Sequence, residues 1–203
     1  MACIITYYYT NMLPHKVIHD LVLGSASPRR KALLKDAGFE FDTITADIAE
    51  DFSEDLKAQE IPLFLSKLKA DHLIKKLGVN QILITADTIV WLNNKALNKP
   101  VDFEDACRML NELSGKQHEV FTGVSITSHK KQVSFYVRTA VYFKLLTQEE
   151  IEFYVTNFKP YDKAGAYGAQ DWMGLIAVEK LEGSYFNVMG LPVKELYEHL
   201  KDF

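Results

Sequence analysis

The sequence is short of several things, and each shortage excludes a class of protein. No apolar run approaches the ~18 residues that a membrane-spanning helix requires, so a helical span is excluded. Cysteine occurs only at Cys3 and Cys107, without metal-ligand spacing, and a chain of this size needs no disulfide framework. A reducing cytoplasm is the expected setting. Positive charge is not in excess: 23 Lys and Arg face 27 Asp and Glu, giving a net charge of -4 and a pI near 5.9. A protein that wraps nucleic acid by bulk electrostatics needs a basic face, so nucleic acid is not an expected partner and any anion site must be local. Neither the glycine-rich fingerprint of dinucleotide folds nor a P-loop is present, and no segment repeats.

What is present is ordinary globular material, 203 residues with 48% apolar and 25% charged side chains, enough for a sizeable core. One domain is expected over residues 21–203, preceded by an extension over residues 1–20. That extension carries Tyr7-Tyr8-Tyr9 and lacks the basic and long apolar regions of a secretory signal. Met12 lies shortly before the first expected strand and is an expected alternative start of translation.

Strands and helices mix along the rest of the chain. A strand near Leu21 leads into a helix over residues 29–37, stopped by Gly38, then a strand over residues 39–46 and an acidic loop. A long helix is expected over residues 61–77 and a buried strand over residues 81–92, whose apolar run alone is interrupted at Asp87-Thr88. Asn93-Asn94 reads as a turn and Asp102 opens a helix that ends at Ser114-Gly115. Strands then follow over residues 120–127, 132–145 and 176–181, with a helix over residues 148–157 capped by Thr147. Residues 182–190 read as a loop and 193–200 as the closing helix. The expected class is α/β, with a mixed, twisted sheet flanked by helices.

Ser25-Ala26-Ser27-Pro28-Arg29-Arg30 is the densest chemical signal. Small hydroxyl residues such as Ser25 and Ser27 let an oxyanion approach backbone N–H groups at a helix start, and the two guanidiniums add charged forks. Ser27 as N-cap and Pro28 at the first helical position also describe any helix N-terminus. Capping does not explain consecutive arginines in a first turn, where positive charge opposes the helix dipole; something anionic must compensate them.

Asp87 stands inside an apolar strand, where a carboxylate is costly unless paired, metal-bound or neutralised. It either works there or bonds to loop amides at an open strand end. Thr88 points to the opposite face of a regular strand, so both meet one ligand only if the strand ends or bulges. Lys69 on the long helix and Lys99 in the following loop are candidate phosphate ligands, each weighed against a plain surface role. The segment Asp162-Lys163-Ala164-Gly165-Ala166-Tyr167-Gly168-Ala169-Gln170 pairs charges with small residues, and the Gln170 amide can read a base edge. Residues 183–192 are expected to shape a pocket wall. His118 is a weak catalytic candidate, because no nucleophile accompanies it. Glu50 with Asp87 meets the needs of Mg²⁺, which takes one or two carboxylates plus substrate phosphates.

Taken in order, Ser25 to Arg30, Ala86-Asp87-Thr88, Leu97-Asn98-Lys99-Pro100, Ser114-Gly115 with the following stretch to Gly123, the Asp162 motif and residues 183–192 resemble the Maf family of nucleoside triphosphate pyrophosphatases. The resemblance runs from about Leu21 to Leu200. It implies a fold similar to inosine triphosphate pyrophosphatases and hydrolysis of a nucleoside triphosphate between the α- and β-phosphates. It also implies a divalent cation, Mg²⁺ foremost with Mn²⁺ or Co²⁺ as substitutes, held by Asp87 and by Glu50, with Asp47 or Asp51 as alternatives to Glu50 in the loose acidic pattern. Asp87 matches the proton acceptor. Arg29, Thr88 and Gln170 match positions tied to substrate choice, in the combination of the dTTP and UTP branch. Arg30, Lys69 and Lys99 match phosphate-binding positions, to which Ser25, Ser27 and Lys163 are added as phosphate-binding candidates. A cytoplasmic homodimer is expected. A nucleotide-sensing regulator of cell division is the alternative function. Ala169 departs from the isoleucine usual in its motif.

Overall fold

The computed structural model describes residues 20–203. The extension and the alternative start at Met12 therefore lie outside the described residues, apart from Asp20, which opens the first strand. The elements are β1 (Asp20–Gly24), α1 (Pro28–Asp36), β2 (Phe41–Ile44), α2 (Glu60–Leu73) with a 3-10 turn (Ile74–Lys76), β3 (Gln81–Leu92) and β4 (Lys95–Leu97). They continue with α3 (Phe103–Leu113), β5 (Gln117–Thr127), β6 (Gln132–Phe143), α4 (Gln148–Phe158), a 3-10 turn (Ala164–Ala166), α5 (Trp172–Ala177), β7 (Val178–Glu182), α6 (Tyr185–Met189) and α7 (Val193–Lys201).

Local chemistry fixes most of these ends. The Ser27 side chain accepts from Arg30 N at the start of α1, and Asp102 accepts from Asp105 N at the start of α3. Thr147 and Glu150 form a full capping box on α4, satisfying donors that a helix start leaves free. Asn93 and Asn94 both adopt positive φ, 51° and 60°, the backbone of a tight hairpin turn. That turn produces β4, which sequence patterning did not reveal.

Among the described residues the sheet has seven strands in the order β2-β1-β3-β5-β6-β7, with β4 also on β3. β1 pairs parallel with β2 and β3; the other pairings are antiparallel. β3 is covered on both faces, as its near-continuous apolar run requires. One face packs Leu21, Leu23, Ile82, Ile84 and Ala86 against Leu33 and Leu34 of α1 and Leu196 and Leu200 of α7. The other packs Val22 and Leu83 against Ala70 and Leu73 of α2, and Ile89 and Phe121 against Ile61 and Leu65. Beyond the far end of β3, α3 and α4 bury Val90, Leu92, Val120 and Val141.

The strand expected over residues 81–92 is present and continuous through Asp87-Thr88, its ladder with β5 running from Leu83 to Trp91. Two expectations are corrected. The expected loop over residues 182–190 contains α6, capped by Ser184. Ile176 belongs to α5 rather than to the following strand, which starts at Val178.

One topological detail positions everything that follows. β1 pairs with β3 only as far as Ile84, and β4 takes up the same edge only from Val90. Among the described residues, 85–89 therefore have β5 on one side and no strand on the other.

Candidate active site

A cleft of about 580 Å³ opens at that gap. Of the candidate residues, all but His118 and the acidic-loop alternatives Asp47 and Asp51 line it: Ser25, Ser27, Arg29, Arg30, Glu50, Lys69, Asp87, Thr88, Lys99, Lys163 and Gln170. The open edge resolves the demand placed on Asp87 and Thr88. No bulge occurs, since Asp87 pairs with Gly123 and Thr88 with Thr122 in regular register. The strand's neighbour ends instead, and the cleft reaches both faces of β3 around the free edge.

On the α2 face, Lys69 Nζ lies 2.6 Å from Asp87 Oδ1 and 2.9 Å from Glu50 Oε1. Both Asp87 and Lys69 are buried. Burial raises the Asp87 carboxyl above the ordinary aspartate range, with Lys69 and Arg30 pulling against it. Burial also acts to raise Glu50, but the hydrogen bond and charge of Lys69, with Lys99 and Arg30 behind them, outweigh it and hold this carboxyl low.

On the opposite face, Arg30 is gripped by neutral acceptors. Its Nε donates to Gly190 O at 2.8 Å, Nη2 to Thr88 Oγ1 at 3.2 Å and Nη1 to Ser25 Oγ at 3.4 Å. These bonds leave one N–H on each terminal nitrogen, a fork suited to a phosphate. Burial lowers the guanidinium pKa, with Asp87 opposing; an arginine remains charged all the same.

The anion demanded by Arg29 is Asp162, which accepts from its Nη1 at 2.7 Å. Sequence reading had placed Asp162 in its motif without a role. Asp162 also takes Lys163 Nζ at 2.8 Å, and that ammonium lies 3.4 Å from Asp171 Oδ2. Asp171 in turn accepts from the buried Tyr154 hydroxyl at 3.1 Å. Lys163 and Lys69 are thus held by two carboxylates each, whereas Lys99 makes no ion pair among the described residues. Asp162 is the sequence neighbour of Lys163 and Asp171 follows shortly after, whereas Arg29 and Lys69 meet their carboxylates on other elements, where spacing gives no sign of them.

Gln170 carries the site's open valence. Its Oε1 is buried with no hydrogen-bond partner among the described residues, and such an orphan calls for a ligand or water. Gly168 makes room for it: a Cβ there would come within 2.8 Å of Gln170 Nε2. His118 is outside the cleft. Its Nε2 meets Tyr167 OH at 2.7 Å, its ring packs edge-on to Phe143 and Tyr167, and burial lowers its pKa to about 3. This is a neutral core histidine.

The donor set fits a divalent cation. Glu50 and Asp87 converge on one point now held by the Lys69 ammonium, and both offer hard oxygens. No group of three or more His, Cys, Asp or Glu side chains suited to a metal occurs among the described residues, so these two carboxylates would hold a cation only together with oxygens from outside the protein, the mode Mg²⁺ favours.

A twisted, mixed sheet flanked by helices, whose open edge gathers arginines, lysines, hydroxyls and paired carboxylates around one cleft, defines an α/β protein with a charged cleft at the sheet edge. The chain belongs to the family of Maf-like proteins, whose family model matches residues 20–203. It is 50% identical to the dTTP/UTP pyrophosphatase of Christiangramia forsetii over 91% of this chain and 94% of that one. It is 47% identical to that of Bacteroides fragilis over 94% and 99%, and 46% identical to that of Porphyromonas gingivalis over 95% and 98%. Among solved structures, the Ham1 protein of Staphylococcus aureus shares the fold, with a TM-score of 0.52 and 16% identity over 90% of this chain and 98% of that one. Among the described residues no helix is long and apolar enough to cross a membrane.

Proposed function

We propose that this chain hydrolyses nucleoside triphosphates, dTTP and UTP foremost, to the monophosphate and pyrophosphate. The observation that carries the reading is Asp87: a buried carboxylate on the open edge of β3, flanked by Lys69 on one face and Arg30 reaching Thr88 on the other. The names of the relatives supply the substrate.

In this mechanism Asp87 accepts a proton from a water. The water oxygen forms a bond to the α-phosphorus, the bond to the α–β bridging oxygen breaks, and pyrophosphate leaves with the electron pair. The two forked N–H groups of Arg30 and the ammonium of Lys99 stabilise charge on the phosphate oxygens. Ser25 and Ser27 supply hydroxyls at the start of α1, whose dipole favours an anion. Glu50 and Asp87 would hold Mg²⁺, or Mn²⁺ or Co²⁺ in its place, and such a cation would neutralise phosphate charge. The Gln170 amide pairs with the imide edge shared by uracil and thymine. The alternative of a cell-division regulator that senses nucleotide without turnover is not favoured, because the relatives carry an enzyme's name.

Incubating the protein with UTP and Mg²⁺ and assaying pyrophosphate tests the reading. Asp87→Asn should lower turnover by about 10²–10⁴-fold with nucleotide affinity largely kept; near wild-type turnover removes Asp87 from the chemistry. Gln170→Glu should lower preference for UTP and dTTP relative to guanine nucleotides, and an unchanged ranking removes Gln170.

A further inference from the structure

Asn187 lies in α6, fully buried, and the mechanism above leaves it unused. Its Nδ2 donates to Val120 O at 3.1 Å and to Thr139 Oγ1 at 3.0 Å. Thr139 spends its own proton on Ser184 O at 3.0 Å, so it can only accept from Asn187. The amide nitrogen is therefore fixed toward β5 and β6, clamping α6 onto the sheet. The amide oxygen is left buried without a partner among the described residues.

The backbone carbonyl of Asn187 carries the clamp into the cleft. It accepts from Thr122 Oγ1 at 3.1 Å and from Gly190 N at 2.9 Å. The first bond uses the Thr122 proton, so in the 2.9 Å contact between Thr122 and Thr88 the Thr88 hydroxyl is the donor. The Thr88 oxygen then turns its lone pairs to Arg30 Nη2. The second bond fixes Gly190, which caps α6 with φ 113°, and the Gly190 carbonyl accepts from Arg30 Nε. Two of the three acceptors that hold Arg30 thus depend on one carbonyl.

We infer that Asn187 is a positioning residue for this reaction: through Thr122 and Thr88 on one path and Gly190 on the other, it holds the Arg30 guanidinium aimed at the polyphosphate. The inference rests on the hydrolase reading and adds a residue that touches neither substrate nor the reacting atoms.

A double-mutant cycle tests it. Asn187→Asp sets an acceptor against Val120 O and the Thr139 lone pairs; Thr122→Val keeps shape and α6 but removes the relay hydroxyl, and carries the test where Asn187→Asp does not fold. Each should lower kcat for UTP about tenfold, and in an Arg30→Lys background the same substitution should have less than about a twofold effect. Equal effects in both backgrounds, the behaviour of a merely structural residue, overturn the inference. The cycle is read in parallel on calorimetric affinity for pyrophosphate. A wild-type chain that binds pyrophosphate without turning over UTP sinks the hydrolase reading, and the pyrophosphate cycle still decides for or against Asn187. A chain that neither turns over UTP nor binds pyrophosphate overturns both.

Discussion

Lys69 donates to Asp87 across 2.6 Å while both side chains are buried, so the ammonium on α2 is the nearest compensation for the carboxylate on β3. The pair divides the labour between a helix and a strand packed face to face. A base is active when deprotonated, so kcat/KM should rise with pH through the Asp87 pKa, which burial places above the ordinary aspartate range. Lys69 opposes that rise. Lys69→Met should move the acidic limb of kcat/KM upward by about one to three pH units. A pH–rate profile checks this, and a limb that stays in place or moves to lower pH refutes the assignment of the limb to Asp87.

Asp162 is the carboxylate facing an expected polyanion, and it is exposed, at 58% of its side chain. Burial acts to raise its pKa, but hydrogen bonds from Lys163 and Arg29 outweigh burial and hold it low, so it is charged at neutral pH. Asp162→Asn frees Arg29 and part of Lys163 and removes a repulsive charge from the mouth of the cleft. Pyrophosphate should then inhibit about three- to tenfold more strongly, an effect that shrinks in added salt. Product-inhibition constants at two ionic strengths check this; weaker inhibition means that Asp162 helps to shape the site rather than to release product.

The sequence spoke most clearly where a signal was local. The apolar run of β3 gave its limits, Asp102 and Thr147 marked helix starts, and the Ser27-Pro28 pair placed α1 within a residue. α5 and α6 are too short to show a helical period, and β4 exists only because the Asn93-Asn94 turn folds it onto β3. The site's members were visible as residue types in ordered motifs. Their long-range pairing was not: Asp162 finds Arg29, and Asp87 finds Lys69, only across different elements of the folded chain. The demand for an anion near the arginines was readable from the helix dipole, while its identity was not.

His118 separates stability from chemistry. Its folded pKa of about 3 lies below its ordinary value near 6.5, so between these values the unfolded chain binds the extra proton. Stability contributed by this group is complete above about pH 6.5 and is lost as pH falls toward 3. His118→Phe should flatten that part of the stability–pH curve. It should also cost about 1–3 kcal/mol at neutral pH by leaving the Tyr167 hydroxyl buried without its partner. Turnover per folded molecule should stay within about twofold, as expected of a residue outside the machinery. Denaturant melts across pH, beside activity assays, check all three; a turnover that collapses with the fold intact returns His118 to the catalytic candidates.

Gly123 tests the coupling between the α2 contact and the chemistry. It pairs with Asp87 in the β3–β5 ladder, and a Cβ there would run into the backbone of Pro62 and Leu63 in α2. Lys69 lies seven residues after Pro62 on the same buried face of that helix. Gly123→Ala should therefore push α2 off the sheet, at about 1–3 kcal/mol of stability, and lengthen the Lys69–Asp87 contact. The acidic limb of kcat/KM should move upward as it does in Lys69→Met, though by less. Gly78→Ala is the control, since its Cβ meets only the Gln81 side chain at 3.5 Å, and should change stability by no more than about 0.5 kcal/mol. Melts and pH–rate profiles of the two variants decide the point. A Gly123→Ala protein that loses stability while keeping the wild-type limb shows that the spacing of α2 from β5 does not set the basicity of Asp87.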